Sequence, residues 1–131
     1  MRIVWIKVGG LWPLNTGGRL RSFHIVSELA RRHRLTVLTT HDPGENSHEL
    51  AGQLSHCERV VSVPYAIPKH TTLRFARVLV SSWFTAYPVD VWKCRVPELQ
   101  RVARELMATG EPFDVCVADF LAATPNTPSI S

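Results

Sequence analysis

Residues 2–40, RIVWIKVGGLWPLNTGGRLRSFHIVSELARRHRLTVLTT, contain the pattern that decides the fold of this chain. The β-branched and aromatic run RIVWIKV at 2–8 ends at two glycines and is typical of a buried strand. Apolar residues then recur at helical spacing from Leu20 to Ala30, and the basic residues that follow suit the carboxyl end of a helix. The run LTVLTT at 35–40 predicts a second strand.

The rest of the chain continues the same alternation. Helical periodicity covers residues 45–56 weakly and returns near 71–84, on either side of a third predicted strand, RVVSVP at 59–64. A helix is predicted at 97–109, with proline in its first turn, and FDVCVADF at 113–120 predicts a fourth strand. This order predicts an α/β fold, a Rossmann-like parallel sheet with helices on both faces.

The composition excludes several classes of protein. The chain has 131 residues, 45% of them hydrophobic and 20% charged, which suits one globular domain, and no stretch approaches the ~20 apolar residues of a membrane span. The net charge of +4 favours anionic partners, although a solvated basic surface gives the same value. Three cysteines without a CxxC pair and six histidines without ligand spacing predict no metal site and a cytoplasmic chain. The basic residues match no nucleic-acid-binding module, so we expect no nucleic acid partner.

The loop between the first strand and the first helix holds the main candidate binding site. Ligands of parallel α/β sheets bind beyond the carboxyl ends of the strands, and this loop lies there. Gly17 and Gly18 would let a phosphate approach their backbone N–H groups, and the helix start, capped by Asn15 or Thr16, favours an anion. Alternatively, the two glycines only permit a tight turn with positive φ. The spacing matches neither the dinucleotide fingerprint nor the P-loop.

Charged residues near the same edge complete the candidate site. Arg19 and Arg21 are candidates for charge-assisted bonds to phosphate oxygens. Asp119, at the end of the fourth strand, is either a catalytic residue that orients an acceptor hydroxyl or stabilises positive charge, or a loop residue that caps the next turn. Asp114 lies at the opposite end of that strand, so the two carboxylates are not expected to form a glycosidase pair.

The segment 69–84 mixes basic and apolar side chains. The basic ones are Lys69, His70, Arg74 and Arg77, and the apolar ones include Leu73, Phe75, Val78, Leu79, Trp83 and Phe84. We expect a helix that faces the core and carries a basic outer side. The alternative is a face that rests on anionic lipid or receives a lipid-linked acceptor.

The stretch MRIVWIK…WPLNTGGRLRSFHIVSELARRHRLTVLTTH resembles the amino-terminal start of retaining, GT-B-type glycosyltransferases of family 4. In that family a first strand leads to a P-x-x-x-G-G loop, a helix with a basic or Gly-His end, and a V-T-V-L-T strand. The likeness weakens in the middle of the chain and returns at FDVCVADFLAATPNTP, residues 113–128.

The resemblance implies that residues 1–124 form the acceptor-side, Rossmann-like amino-terminal half of a GT-B fold, followed by an irregular tail at 125–131. A second Rossmann-like domain, which holds the nucleotide-diphosphate sugar in that family, is absent here. Gly17 and Gly18 would approach the sugar diphosphate, with Thr16 and Arg19 beside them. We therefore expect a fragment or truncated chain that is inactive alone and has no cofactor.

The function expected of the whole enzyme is transfer of a sugar from a nucleotide-diphosphate donor to a polysaccharide, lipid-linked or other acceptor. Its partners would be that donor, that acceptor, and a missing donor-binding domain or subunit, at a cytoplasmic location with peripheral contact on the inner membrane face. The alternative is a non-catalytic binding module or one subunit of a split transferase. A third hypothesis is an unrelated flavodoxin-like or nucleotide-binding domain.

Overall fold

A computed structural model describes residues 1–128 of the chain. Its centre is one four-stranded sheet in which all three strand pairings are parallel and the spatial order is β3-β2-β1-β4. The strands are β1 (Arg2–Lys7), β2 (Arg34–His41), β3 (Arg59–Pro64) and β4 (Val115–Ala118). The predicted α/β class with a parallel sheet is confirmed.

Helices connect the strands, as the alternating pattern predicts. They are α1 (Gly17–Arg32), α2 (Ser47–Gln53), α3 (Leu73–Ser82), α4 (Val89–Trp92), α5 (Pro97–Ala108) and a 3-10 helix, Leu121–Asn126. Helix α4 lies between the helices predicted near 71–84 and at 97–109, where no helix was predicted, and β4 is half as long as the apolar run that predicted it. Among the described residues, no helix is long and apolar enough to cross a membrane.

Both faces of the sheet are covered, so the central strands β1 and β2 are buried at nearly every position. Neighbouring residues of β1 point to opposite faces, so Val4 and Ile6 belong to one core cluster and Ile3 and Trp5 to the other. The first cluster also contains Leu38, Val63, Leu99, Ala103 and Phe113, and the second contains Val26, Ala30, Leu35, Val37 and Leu50. Helix α5 therefore covers one face, and α1 and α2 cover the other.

The segment after β4 is more ordered than we expected. Pro125 and Asn126, which we placed in an irregular tail, belong to the 3-10 helix. The buried Asn126 side chain accepts a hydrogen bond from the Val96 N–H at 2.7 Å and donates one to the Cys94 carbonyl at 2.9 Å. These bonds fasten the segment to the start of α5. The last part of the predicted tail, 129–131, lies outside the described residues.

Candidate functional site

The strand order reverses between the carboxyl ends of β1 and β4, and the surface above this reversal is called the crevice here. From β1 the chain continues to β2 and β3 on one side, and then crosses to place β4 on the other side of β1. Open parallel sheets bind their ligands at such a reversal of strand order. The loop 8–16, which joins β1 to α1, lies at this edge, as the sequence pattern predicts.

Gly17 and Gly18 form the first residues of α1 and are exposed to solvent. Thr16 caps the helix, because its hydroxyl accepts a hydrogen bond from the Arg19 N–H at 3.2 Å. Within residues 1–128, the N–H groups of Gly17 and Gly18 have no acceptor. Two adjacent amides at the positive end of a 16-residue helix are therefore free to bind an anion.

The explanation of Gly17 and Gly18 as turn residues does not apply. The positive-φ glycines of this loop are Gly9 and Gly10 instead, at 99° and 84°. A Cβ atom added to Gly17 or Gly18 would meet no atom within 4 Å. Neither backbone conformation nor packing within the described residues requires glycine at 17 and 18, so a ligand that approaches the backbone is a specific explanation for it.

Arg19 lies beneath the loop and only 8% of the residue is exposed. Its Nε donates to the Gly9 carbonyl at 3.1 Å, and Nη1 donates to the Trp12 carbonyl at 3.0 Å and to Glu45 Oε1 at 2.9 Å. These bonds hold the loop 8–16 against the start of α1 and against the β2–α2 connection. Direct contact between Arg19 and a substrate stays a prediction, and the observed geometry favours a role in positioning the loop.

Gly10 completes this arrangement at the point where the backbone approaches Arg19 most closely. A Cβ atom there would lie 3.0 Å from Arg19 Nη2 and 3.2 Å from the Thr40 carbonyl oxygen. Glu45 belongs to the same arrangement as the carboxylate partner of Arg19. Burial opposes its ionisation, but hydrogen bonds from the Arg19 guanidinium and the Asp42 N–H outweigh burial and lower the pKa of the carboxyl.

Asp119 is the centre of a buried charged cluster at the other side of the crevice. Its N–H donates to the Ile6 carbonyl at 2.9 Å, which continues the pairing of β4 with β1. Its carboxylate accepts hydrogen bonds from the Arg21 guanidinium at 2.6 Å and from the Ser22 hydroxyl, and lies 3.3 Å from Lys7 Nζ. No side chain caps the 3-10 helix that follows, so the alternative of a capping aspartate is wrong.

The Asp119 cluster presents positive charge to the crevice. Asp119 and Lys7 are buried, whereas half of the Arg21 side chain is exposed. Arg21 follows Gly17 by four residues, so both lie on the same face of α1. Three donors already occupy the Asp119 oxygens, which favours a role in holding Arg21 and Lys7 over proton transfer; a catalytic role for Asp119 stays a prediction.

Phe120 borders the cluster in a conformation that is rare for a residue with a side chain. Its φ is 68° and its ψ is 160°, a region that glycine occupies almost alone. The residue is 63% exposed, and the centre of its ring lies 4.8 Å from the Arg21 guanidinium carbon. The crevice is thus lined by two free amides, a guanidinium and an aromatic ring.

Three residues of this site, Lys7, Ser22 and Phe120, were not predicted from the sequence. Lys7 had a visible signal, because a lysine within a strand that is buried on both faces requires a partner. Ser22 and Phe120 have ordinary polar and apolar side chains, and only the tertiary structure brings them to the Asp119 carboxylate and the Arg21 guanidinium.

Other chemistry-bearing side chains lie elsewhere or are inert. Asp114 is at the opposite edge of the sheet, as expected, where it accepts a hydrogen bond from the Arg2 N–H at 2.7 Å. Burial raises the pKa of the Cys57 and Cys116 thiols to about 11, so both are protonated at neutral pH and are poor nucleophiles. No group of three or more potential metal-ligating side chains occurs in the part of the chain that the structure describes.

These features define the class of the chain as a Rossmann-like α/β domain with a candidate anion site at its strand-order reversal. Comparison with known proteins adds no closer identification. No family model matches the sequence, and no curated protein or solved structure matches it at a significant level.

Proposed function

We propose that this chain is the amino-terminal, acceptor-side domain of a GT-B glycosyltransferase, and that the Gly17–Gly18 amides receive the diphosphate of a nucleotide sugar. One observation carries the proposal. Two adjacent, exposed amides without an acceptor begin a long helix at the strand-order reversal, where nothing in the described structure requires glycine. The resemblance of the first forty residues to family 4 supports the same function.

The proposed chemistry is electrostatic. In sugar transfer the leaving diphosphate gains negative charge, and preorganised donors that face this charge lower the barrier without having to rearrange. The Gly17 and Gly18 amides are such donors, and Arg21 adds a cation whose position is held by Asp119. Arg19 and Gly10 act indirectly, because they hold the loop in the conformation that exposes the amides.

The acceptor would enter from the side of Phe120. This ring and Leu121, which is 73% exposed, form an apolar surface at the mouth of the crevice. An apolar wall beside a cation suits the ring face of a sugar, which packs on aromatic side chains while its hydroxyls bind polar groups. The nucleotide would be held by a second domain that faces this crevice, so we expect no transfer by this chain alone.

Titration of the ¹⁵N-labelled chain with a nucleotide-diphosphate sugar tests the proposal. UDP-glucose and GDP-mannose are expected to shift the amide resonances of Gly17, Gly18 and Arg21 with millimolar affinity, and inorganic pyrophosphate is expected to compete. Uridine and glucose should leave these resonances unchanged. Shifts confined to the opposite edge of the sheet, or none at millimolar ligand, would refute the proposal. Robust sugar transfer by the chain alone would show that no second domain is needed.

A non-catalytic docking module is the second candidate, and the exposure of Phe120 and Leu121 is the observation that favours it. A protein partner could cover these side chains without any ligand in the crevice. The same titration separates the two candidates. A folded chain whose Gly17 and Gly18 resonances ignore both nucleotide sugars and pyrophosphate supports docking.

A further inference from the structure

Helix α3 and the turn that follows it expose a continuous apolar surface. The exposed fractions are 86% for Leu73, 50% for Val80, 73% for Trp83 and 86% for Phe84. These four residues, called here the α3 outer face, are spaced by seven, three and one, so a helical path places them on one side. Single exposed apolar residues are ordinary, but a cluster with two large aromatic rings marks an interaction site.

The opposite side of α3 provides the contacts that attach it to the domain. Phe75, Val78 and Leu79 are partly buried there, and Ser82 is buried. Trp92 of α4 donates a hydrogen bond to Ser81 at 2.9 Å. The expectation of a helix that faces the core is therefore correct for one side of α3. The other side was expected to be basic, and its apolar side chains were not predicted.

The charged residues within α3 and next to it along the chain have a single sign. No aspartate or glutamate occurs from residue 59 to residue 89, while Lys69, Arg74 and Arg77 lie within or beside α3. All three are exposed, and none forms an ion pair with any residue in 1–128. Arg74 donates to the Ala66 carbonyl at 2.9 Å, which leaves its positive charge uncompensated.

The exposed side of helix α5 is a solvent-facing helix surface of the ordinary kind. Arg101 of α5 pairs with both Glu98 and Glu105 on the exposed side, so that surface is polar and electrically balanced. The α3 outer face has apolar side chains and unbalanced cations instead. A second copy of the chain is a poor occupant, because a symmetric contact would bring the cations of both copies together.

We propose that the α3 outer face docks this domain on the surface of an anionic lipid bilayer. Leu73, Val80 and Phe84 would enter the boundary between headgroups and acyl chains, and Trp83 would lie at that interface. Lys69, Arg74 and Arg77 would bind the lipid phosphates. This inference is independent of the proposed transferase function, because it rests on different residues and needs no ligand in the crevice.

Co-sedimentation with lipid vesicles tests the docking. The chain is expected to bind vesicles that contain 30% phosphatidylglycerol and to bind pure phosphatidylcholine at least tenfold more weakly. Leu73→Ser/Phe84→Ser should weaken binding by tenfold or more, because it removes the inserted side chains. Lys69→Gln/Arg77→Gln should weaken it by about 30-fold, roughly fivefold for each cation. The matched control Arg31→Gln/Arg104→Gln removes the same charge elsewhere and should change binding less than threefold.

A second measurement reports insertion directly. Quenching of tryptophan fluorescence by brominated lipid should occur in the wild-type chain and disappear in Trp83→Ser. Absence of binding to anionic vesicles, equal losses in the control and the Lys69→Gln/Arg77→Gln variants, or unchanged binding of the serine variant would overturn the proposal. Dimerisation that Phe84→Ser abolishes, without vesicle binding, would assign the face to a protein contact instead. Circular dichroism of each variant confirms that it is folded.

Discussion

The two edges of the sheet contain similar charged residues in opposite environments. At the amino edge, Arg34 pairs with Glu58 and Glu111, and more than half of the Arg34 and Glu111 side chains is exposed. At the carboxyl edge, Lys7 and Asp119 are both almost fully buried. Exposed ion pairs contribute little because water competes for both charges, whereas a buried charge depends on its partner. The buried pair of Lys7 and Asp119 is therefore required for stability, whereas the exposed pairs at the amino edge contribute little.

The same comparison applies to binding. A surface cavity of about 680 Å³ is at the amino edge and is lined by residues such as Met1, Arg2 and Glu111. Its four arginines already have carboxylate partners. The carboxyl edge presents the Gly17 and Gly18 amides, which lack acceptors among the described residues and lie at the positive end of α1. Backbone donors at the start of a long helix favour an anion at this edge.

Substitution of Asp119 is expected to produce the largest difference in the free energy of unfolding between the two edges. Asp119→Asn removes the negative charge beside Lys7 and Arg21, and should lower the free energy of unfolding by about 3–5 kcal/mol because Lys7 stays buried without a counter-charge. Urea denaturation followed by circular dichroism measures the change.

The matched change at the amino edge is Glu111→Gln, which removes an exposed partner of Arg34. It should alter the free energy of unfolding by less than about 0.5 kcal/mol. Equal effects of Asp119→Asn and Glu111→Gln would show that burial does not distinguish the edges.

A smaller contrast is expected between two arginines. Arg19→Lys replaces a planar guanidinium that contacts two loop carbonyls and Glu45, and an ammonium group cannot reproduce this geometry. We expect a loss of about 2 kcal/mol in the free energy of unfolding. Arg34→Lys keeps an exposed charge near its partners and should leave the free energy of unfolding nearly unchanged. A loss for Arg19→Lys no greater than that for Arg34→Lys would exclude the anchoring role.

The smallest contrast lies in the response to acid and salt. Burial opposes ionisation of both Glu45 and Glu58, but their arginine partners outweigh it, so both pKa values are lower in the folded chain. Both carboxyls therefore stabilise the fold fully above their unfolded pKa, and this contribution disappears as the pH falls from about 4.5 through the folded values.

The two glutamates should differ in their response to salt. The partner of Glu45 is the buried Arg19, whereas Glu58 pairs with the exposed Arg34 and with the largely buried Arg2. Comparing Glu45→Gln and Glu58→Gln at 0.05 and 1 M NaCl, we expect losses below about 1 kcal/mol, and that of Glu58→Gln should decrease more at high salt. Equal decreases would show that the partner's exposure does not matter.

The strands and longer helices were predictable because their signals are local. The runs that form β1 and β3 end at glycine or proline, and the β2 run is followed by the turn-forming residues 41–44, HDPG. Helix α5 begins with Pro97 and has a regular apolar stripe. Helix α4 was missed because four residues are too few to show a helical period. The local sequence pattern thus predicts the order of strands and helices, and their alternation predicts a parallel sheet.

The site was less predictable because it depends on side-chain direction. Arg19 and Arg21 are two positions apart, about 200° around the helix, so one is buried and the other exposed. We placed Leu20 on the apolar stripe, but it is 44% exposed, and Arg19 occupies the buried side together with Ser22 and Val26. The pairing of Lys7 with Asp119 joins residues 112 positions apart, which no local pattern reveals.

Gly17→Ala/Gly18→Ala separates anion binding from folding. Methyl groups at these positions meet no other atom and alanine favours helices, so stability should stay equal or rise by up to about 1 kcal/mol. The methyl groups would nevertheless obstruct a ligand that approaches the amides. Gly52→Ala in α2 is the matched control, because its added methyl also meets nothing within 4 Å.

Calorimetric titration of these two variants and the wild-type chain with pyrophosphate and UDP-glucose measures whether the anion binds at the Gly17 and Gly18 amides. We expect at least tenfold weaker binding for Gly17→Ala/Gly18→Ala, unchanged binding for Gly52→Ala, and no loss of stability in either. Unchanged binding by a fully folded Gly17→Ala/Gly18→Ala chain would show that the anion does not bind at these amides.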